Sequence, residues 1–257
     1  MKILICMITH NRREWTRRTI KSLQKTAVIP HTLVVVDNAS TDGTREMLQR
    51  MSDLEQIDWL ILNEKNRYPG AACNQGWRSG LVHFGGFTHI MRSDNDMEFQ
   101  PGWDVHAMDA FRAFPELGQF SLMSGMQHHT PEDQAKHQRL MHRDGVCINV
   151  KQPTVSGHAV FDLNTIVENS IEWVEHDWKE SSQEAPRMSL AVRNAGKLVC
   201  QSVPTLCKHM SLGAYSEYEE YHEATFRRRG GVMWDRYQER LAAERDGKYE
   251  DGQRVSR

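Results

Sequence analysis

Three observations predict an α/β fold built on a doubly wound, mostly parallel sheet. Over about the first hundred residues, apolar runs of strand length alternate with helix-patterned segments four times. The runs are unbroken rather than alternating, as expected of strands buried on both faces. Chemistry-bearing polar residues (Thr9, Asp37, Asn66 and Asp94) fall where the runs end. Ligands of such sheets bind beyond the carboxyl ends of the strands.

Ile3 to Ile8 is the first strand, broken by Thr9-His-Asn11, and Arg13 to Lys25 is a helix with Trp15, Ile20 and Leu23 inward. Thr32 to Val36 is a β-branched strand leading into the polar turn Asp37 to Thr44, which can cap a helix over Arg45 to Met51. Asp58 to Leu62 is the third strand. Gly70 to Leu81 reads as a small-residue helix pressed close to a neighbour, and Phe87 to Met91 is the fourth strand. The second half is less regular. Trp103 to Phe114 is an amphipathic helix, Gly118 to Met126 a strand and its exit, and residues 127 to 145 a His-rich loop or lid. Cys147 to Val150 and Val155 to Phe161 are strands, with Gly157 allowing close approach of another group. Leu163 to Trp178 is mixed. Met188 to Asn194 is a helix stopped at Ala195-Gly196, and Lys197 to Ser202 is the last strand. From Ser216 a Glu- and Arg-rich helical tail with interleaved aromatics is expected, fraying after about Asp246. This divides the chain into a donor-binding half, 1–105, an acceptor-binding half of the same domain, 106–210, and a tail, 211–257.

A chain of 257 residues can bury a proper core. Its hydrophobic fraction of 39% and charged fraction of 26% place it among soluble globular proteins. With a net charge of −2 it has no global attraction to nucleic acid or anionic membrane. The five cysteines are scattered and form no CxxC pair, which argues against a thiolate zinc site and for a reducing, cytoplasmic location. Nothing approaches the roughly 18 apolar residues of a membrane span. Met1 to Ile8 is too short an apolar run for a signal peptide.

The chemistry centres on Asp94-Asn-Asp96. Two carboxylates one residue apart at a strand end suit a divalent cation that also holds a phosphate. An acidic turn is the plainer alternative, since Asp and Asn favour turns. Asp37 carries the same ambiguity. The set Ile3-Leu-Ile-Cys-Met-Ile-Thr-His-Asn-Arg12, Val34-Val-Val-Asp-Asn-Ala-Ser-Thr-Asp-Gly-Thr44, Asn66-Arg-Tyr-Pro-Gly-Ala-Ala-Cys-Asn-Gln-Gly76 and Ser93-Asp-Asn-Asp96 resembles the GT-A glycosyltransferases, family 2 in particular. The likeness is strong up to about residue 105, patchy to His209 and absent beyond.

That resemblance implies a GT-A fold and a site for a nucleotide-diphosphate sugar, with a UDP-sugar favoured. Thr9 and Asp37 would line the base pocket, and Asp37 would accept a hydrogen from a ring N–H. Asn11 and Arg12 would approach ribose and diphosphate. Asn66 and Asn74 would frame the donor loop. Relatives often carry Arg just before the second Asn; Cys73 stands there, so Arg67 or Arg92 would supply the charge. Asp94 and Asp96 would hold Mn²⁺ or Mg²⁺, with His209 as a further ligand. For the acceptor-activating base, counting back from Arg193-Asn-Ala-Gly196 and His209 lands on Glu184, with Asp177 as the rival. Inverting transfer follows if either serves.

Two other readings stand beside this one. A nucleotidyltransferase also uses carboxylates and a metal, but it would want a Gly-rich phosphate loop, and Thr9 to Glu14 has no Gly. A catalytically silent nucleotide-sugar or glycan-binding module is supported by the incomplete base motif. The acceptor (a glycan, a protein, a small molecule or a modified nucleic-acid base) is left open, as is the oligomeric state. Arg227 to Arg229 would help a nucleic-acid acceptor, or form a solvated face.

Overall fold

The computed structural model describes residues 1–123, 139–150, 155–175 and 184–210, and the backbone of 249–250 and 253–254. The chain divides into two compact units, Met1–Ser124 with Gln138–Lys208, and Gly125–His137 with His209–Arg257. In the second unit the described elements are β12 (Tyr249–Glu250) and β13 (Gln253–Arg254), which pair antiparallel. The expected helical tail, the His-rich stretch over 127–137 and Arg227 to Arg229 lie outside the described residues.

The first unit opens with β1 (Ile3–Thr9), α1 (Arg13–Thr26), β2 (His31–Asp37), α2 (Thr44–Asp53), β3 (Trp59–Leu62), α3 (Tyr68–His83) and β4 (His89–Asp94). It continues with β5 (Met97–Phe99), α4 (Trp103–Ala113), β6 (Leu117–Ser121), β7 (Leu140–Arg143), β8 (Val146–Asn149) and β9 (Ala159–Asp162). α5 (Leu163–Glu168), α6 (Glu184–Asn194), β10 (Leu198–Ser202) and β11 (Cys207–His209) complete the described order. The main sheet has the order β3-β2-β1-β4-β9-β6-β10-β8-β7. β1 pairs in parallel with both β2 and β4, whereas β9 runs antiparallel between β4 and β6. The predicted α/β architecture is present. The antiparallel insertion of β9 was not foreseen, because four residues of buried apolar chain look alike in either direction.

Every residue of β1 is buried, with one cluster on each face of the sheet. Ile3, Ile5 and Met7 join α1, α2 and α4 on one side, while Leu4, Cys6 and Ile8 meet α3 and α6 on the other. The closely pressed helix is α3. A Cβ on Gly76 would stand 2.3 Å from Cys6 Sγ, and one on Gly80 2.5 Å from a Leu4 methyl.

Three expectations need correction. The segment expected as loop up to residue 145 contains β7, which pairs with β8 through the turn Asp144-Gly145, both at positive φ. Its residues are mostly exposed, so no apolar period marked it. The strand expected from Val155 begins only at Ala159, while Gly157 does admit a close neighbour as expected, the Trp173 ring, 3.3 Å from where its Cβ would be. The helix expected from Met188 begins at Glu184. No described helix is long and apolar enough to cross a membrane.

Candidate active site

In the parallel register Thr9 lies opposite Asp37 and Ile8 opposite Asp94, so three strand ends deliver their polar residues to one edge of the sheet. Asp37 is fully buried. Its Oδ2 accepts from the Ser40 N–H at 3.1 Å, while Oδ1 has no hydrogen-bond partner among the described residues. A buried carboxylate oxygen left unmatched costs stability and is a standing acceptor for a donor brought by a ligand. Thr9 is the other residue expected beside the base. It is buried, within 3.0 Å of the Thr16 hydroxyl, and accepts from Asn95 Nδ2 at 3.0 Å.

Asn95 and Asn38 organise this edge, and neither was singled out in the sequence. From the middle of Asp94-Asn-Asp96, Asn95 donates through Nδ2 to Thr9 Oγ1, to Thr16 Oγ1 at 2.9 Å and to the Asn11 carbonyl at 3.1 Å. Asn38 follows Asp37. Its Oδ1 accepts from the Arg67 N–H (2.9 Å) and from Asn63 Nδ2 (3.2 Å), and its Nδ2 donates to Asn66 Oδ1 (2.9 Å). Asn66 also accepts from the Tyr68 N–H at 2.8 Å, so it shapes the loop entering α3 while the Arg67 side chain is exposed. The available signal was position alone: an Asn beside each strand-end carboxylate.

Asn11 and Arg12 both take left-handed backbone, with φ of 58° and 62°. A non-glycine residue there is strained by roughly 1–2 kcal/mol. Fixed contacts hold the bend. The Asn11 N–H donates to Ser40 Oγ at 2.7 Å, Asn11 Oδ1 accepts from the Thr41 N–H at 2.8 Å, and Arg12 Nη1 meets Asp96 Oδ2 at 2.5 Å. Asp96 is therefore buried and ion-paired, whereas the Asp94 side chain keeps 37% of its surface.

Strand alternation puts Arg92 on the same face as Asp94. The guanidinium is buried. It donates through Nε (3.4 Å) and Nη2 (3.3 Å) to Asp94 Oδ1 and through Nη1 to Glu184 Oε2 at 3.1 Å, and it lies 4.4 Å from the Trp173 ring centroid. Burial works against the charge, but Asp94 and Glu184 outweigh it and raise the Arg92 pKa further above its ordinary value. Glu184, in the first turn of α6, is also buried, and its Oε1 accepts from the Gly70 N–H at 3.2 Å. Asn74 holds the segment ahead of it. Asn74 Nδ2 donates to the Trp173 carbonyl at 2.8 Å and to Glu175 Oε1 at 3.0 Å, and its Oδ1 accepts from the Trp173 N–H at 2.9 Å. Asp177, the other base candidate, lies outside the described residues.

Among the described residues, no three His, Cys, Asp or Glu side chains form a ready-made metal cluster. His209 is half-buried and belongs to the second unit. The donor set nevertheless fits a hard cation shared with a substrate phosphate. Such ions take one or two carboxylates and fill the rest of their shell from phosphate and water, and Asp94 offers a partly exposed carboxylate at the strand end.

The family described as Glycosyl transferase family 2 matches residues 4–150. Three solved structures share the fold. S. aureus TarS matches at TM-score 0.53 with 16% identity, over 79% of this chain and 35% of that one. Its 1–349 fragment in complex with UDP-GlcNAc matches at 0.58 with 16% identity, over 87% and 64%. The mannosyltransferase PcManGT from Pyrobaculum calidifontis, in complex with GDP-Man and Mn²⁺, matches at 0.58 with 19% identity, over 79% and 57%. The chain thus spans less than two thirds of the length of each. No curated protein matches the sequence.

Proposed function

The chain belongs to glycosyl transferase family 2, and from that premise we propose that it moves a sugar from a nucleotide-diphosphate sugar to a hydroxyl acceptor, with inversion. A UDP-sugar is the preferred donor and Mn²⁺ or Mg²⁺ the assisting ion. The observation that carries the reading is the pairing of two acceptors on one sheet edge: Asp37 Oδ1, buried without a hydrogen-bond partner among the described residues, and the partly exposed carboxylate of Asp94, which Arg92 engages through Oδ1. The first suits a ring N–H of uracil, which would sit above the ends of β1 and β2. The second would hold the ion, with Asp96 joining it when Arg12 turns to the diphosphate. The complexes of the two similar proteins with UDP-GlcNAc and with GDP-Man and Mn²⁺ agree with this class of donor.

The cation would stabilise negative charge on the departing nucleoside diphosphate. Asn11 and Arg12 would reach ribose and phosphate from the strained turn. The loop braced by Asn66, with Arg67 exposed on it, would border the donor, framed on its other side by Asn74. Glu184 is the proposed base, with Asp177 as the alternative. It takes the proton of the acceptor hydroxyl as that oxygen bonds to the anomeric carbon, and the bond from this carbon to the diphosphate oxygen breaks with its electron pair. Each Glu184 oxygen already accepts one hydrogen bond and keeps a further lone pair. That same burial favours the second reading, a silent nucleotide-sugar or glycan-binding module. A cytoplasmic location and the division of the domain into donor and acceptor halves belong to the proposal, and the acceptor class is left open.

The test is nucleotide release from a panel of UDP- and GDP-sugars, with Mn²⁺, with Mg²⁺ and with chelator, beside donor binding by calorimetry. Turnover should need the ion. Asp94→Ala should weaken ion-dependent donor binding by more than about 100-fold, beyond the 10–100-fold typical of residues that only support a ligand. Binding without turnover of any donor would favour the silent module. Unchanged affinity in both Asp94→Ala and Asp96→Ala would remove the metal assignment.

A further inference from the structure

We infer that Arg92 is a positioning residue: one buried guanidinium ties the donor-side carboxylate Asp94 to the base candidate Glu184, so that the two halves of the reaction share one brace. The inference deepens the proposed transferase reading and rests on it.

The geometry assigns each nitrogen of Arg92. Nη1 goes to Glu184 Oε2, while Nη2 and Nε go to Asp94 Oδ1. The flat face is spent on Trp173. An arginine inside a parallel strand is tolerated only when paired in this way, because an unmatched buried charge is far costlier than a matched one. Its partners are themselves anchored. Trp173 is gripped through its backbone by Asn74, and Glu184 by the Gly70 N–H. Gly70 cannot be replaced by a larger residue without movement, since a Cβ there would lie 2.1 Å from the Val174 carbonyl oxygen. The guanidinium therefore runs from the partly open Asp94 to the buried Glu184 between fixed neighbours.

Two consequences follow for the reaction. Each Arg92 nitrogen serves a carboxylate, which holds the guanidinium on Asp94 and Glu184 rather than on the donor diphosphate. Two carboxylates against one guanidinium also leave one net negative charge, which draws a divalent cation toward the open member, Asp94. Lys carries the charge without the planar fork and does not reproduce the fixed geometry that faces Asp94 on one side and Glu184 on the other.

The experiment compares wild type, Arg92→Lys and Arg92→Gln, after thermal melts confirm folding, using the nucleotide sugar that the wild type turns over fastest. In both variants kcat should fall about 10–100-fold, the range for a modest misplacement of reacting groups, with donor KM within about threefold of wild type. A second measurement needs no turnover. In the ¹⁵N NMR spectrum of the donor-free wild type, the Arg92 side chain should give separate, slowly exchanging Nη signals that shift in Glu184→Gln. A donor KM raised more than about tenfold at unchanged kcat would overturn the inference in favour of direct diphosphate contact. Averaged Nη signals indifferent to Glu184→Gln would overturn it as well. A wild type that consumes no donor fells the transferase reading and the positioning role with it. That failure is told apart because it precedes any variant.

Discussion

Asp37 is the residue whose environment says most about a ligand. One carboxylate oxygen is used by the Ser40 N–H and the other is buried with no donor to accept from among the described residues. Asp37→Asn poses a clean conflict. If the amide oxygen keeps the Ser40 bond, the NH₂ group faces the ligand's N–H; if it is reversed, the turn loses its bond. Hydrogen bonds to charged groups contribute about 1.5–3 kcal/mol, so UDP affinity should fall roughly 10–100-fold by calorimetric titration. Folded stability should change little, because the substitution also removes a buried charge. Equal UDP affinity in variant and wild type would take Asp37 out of the base pocket. The strand-end carboxylates were legible from their spacing. The working partners Asn38 and Asn95 were not, since an Asn in a polar turn looks the same whether it braces three contacts or none.

At the scale of elements, α3 was legible as a helix that must lie close to its neighbour, and its small residues meet β1 and β2. Gly76→Ala tests that contact. Replacing Gly by Ala in a helix interior favours the helix by about 1 kcal/mol, whereas a methyl 2.3 Å from Cys6 Sγ and 3.0 Å from a Val36 methyl overpacks a fixed sheet. Overpacking costs typically about 1–3 kcal/mol, so the net expectation is a loss of up to about 2 kcal/mol in denaturant unfolding. Cys6→Ala in the same chain should restore part of it, with a coupling of about 1 kcal/mol. Strict additivity of the two single changes would show that the contact is looser than drawn. The four opening strand–helix pairs were readable because each strand is a continuous apolar run. Of the hairpin of β7 and β8, β8 was expected as a strand, whereas β7 was missed because its mostly exposed residues carry no such run. Asp144-Gly145, a dipeptide suited to a two-residue turn at positive φ, was the local sign of it. Pairing order was beyond reach, since four apolar residues in β9 do not say which neighbours they will join.

Over the whole molecule, acid stability should be governed by buried imidazole before the carboxylates come into play. His89 sits at the start of β4, 2.9 Å from the Thr88 hydroxyl and tilted against the Phe111 ring at 4.5 Å between centroids. Burial lowers its pKa from 6.5 to about 4; the chain's amino terminus pushes the same way and Asp162 opposes. In the unfolded chain this residue takes a proton near pH 6.5, and in the folded chain not until about pH 4. The folded state is therefore fully favoured above pH 6.5 and loses ground as pH falls through that window. With about 1.36 kcal/mol per unit, the loss reaches about 2 kcal/mol at pH 5. His106, also lowered by burial with Asp109 opposing, acts in the same direction. The carboxylates whose pKa is lowered, Asp42, Glu14 and Glu116, lose their contribution only as pH falls below the ordinary carboxylate range. At pH 5 the imidazole effect therefore stands largely apart from theirs. Unfolding free energies at pH 7 and pH 5 should differ less in His89→Gln than in wild type, by about 2 kcal/mol. An identical pH dependence in the two proteins would mean that water reaches His89 and that the end of the sheet away from the strand-end carboxylates is open.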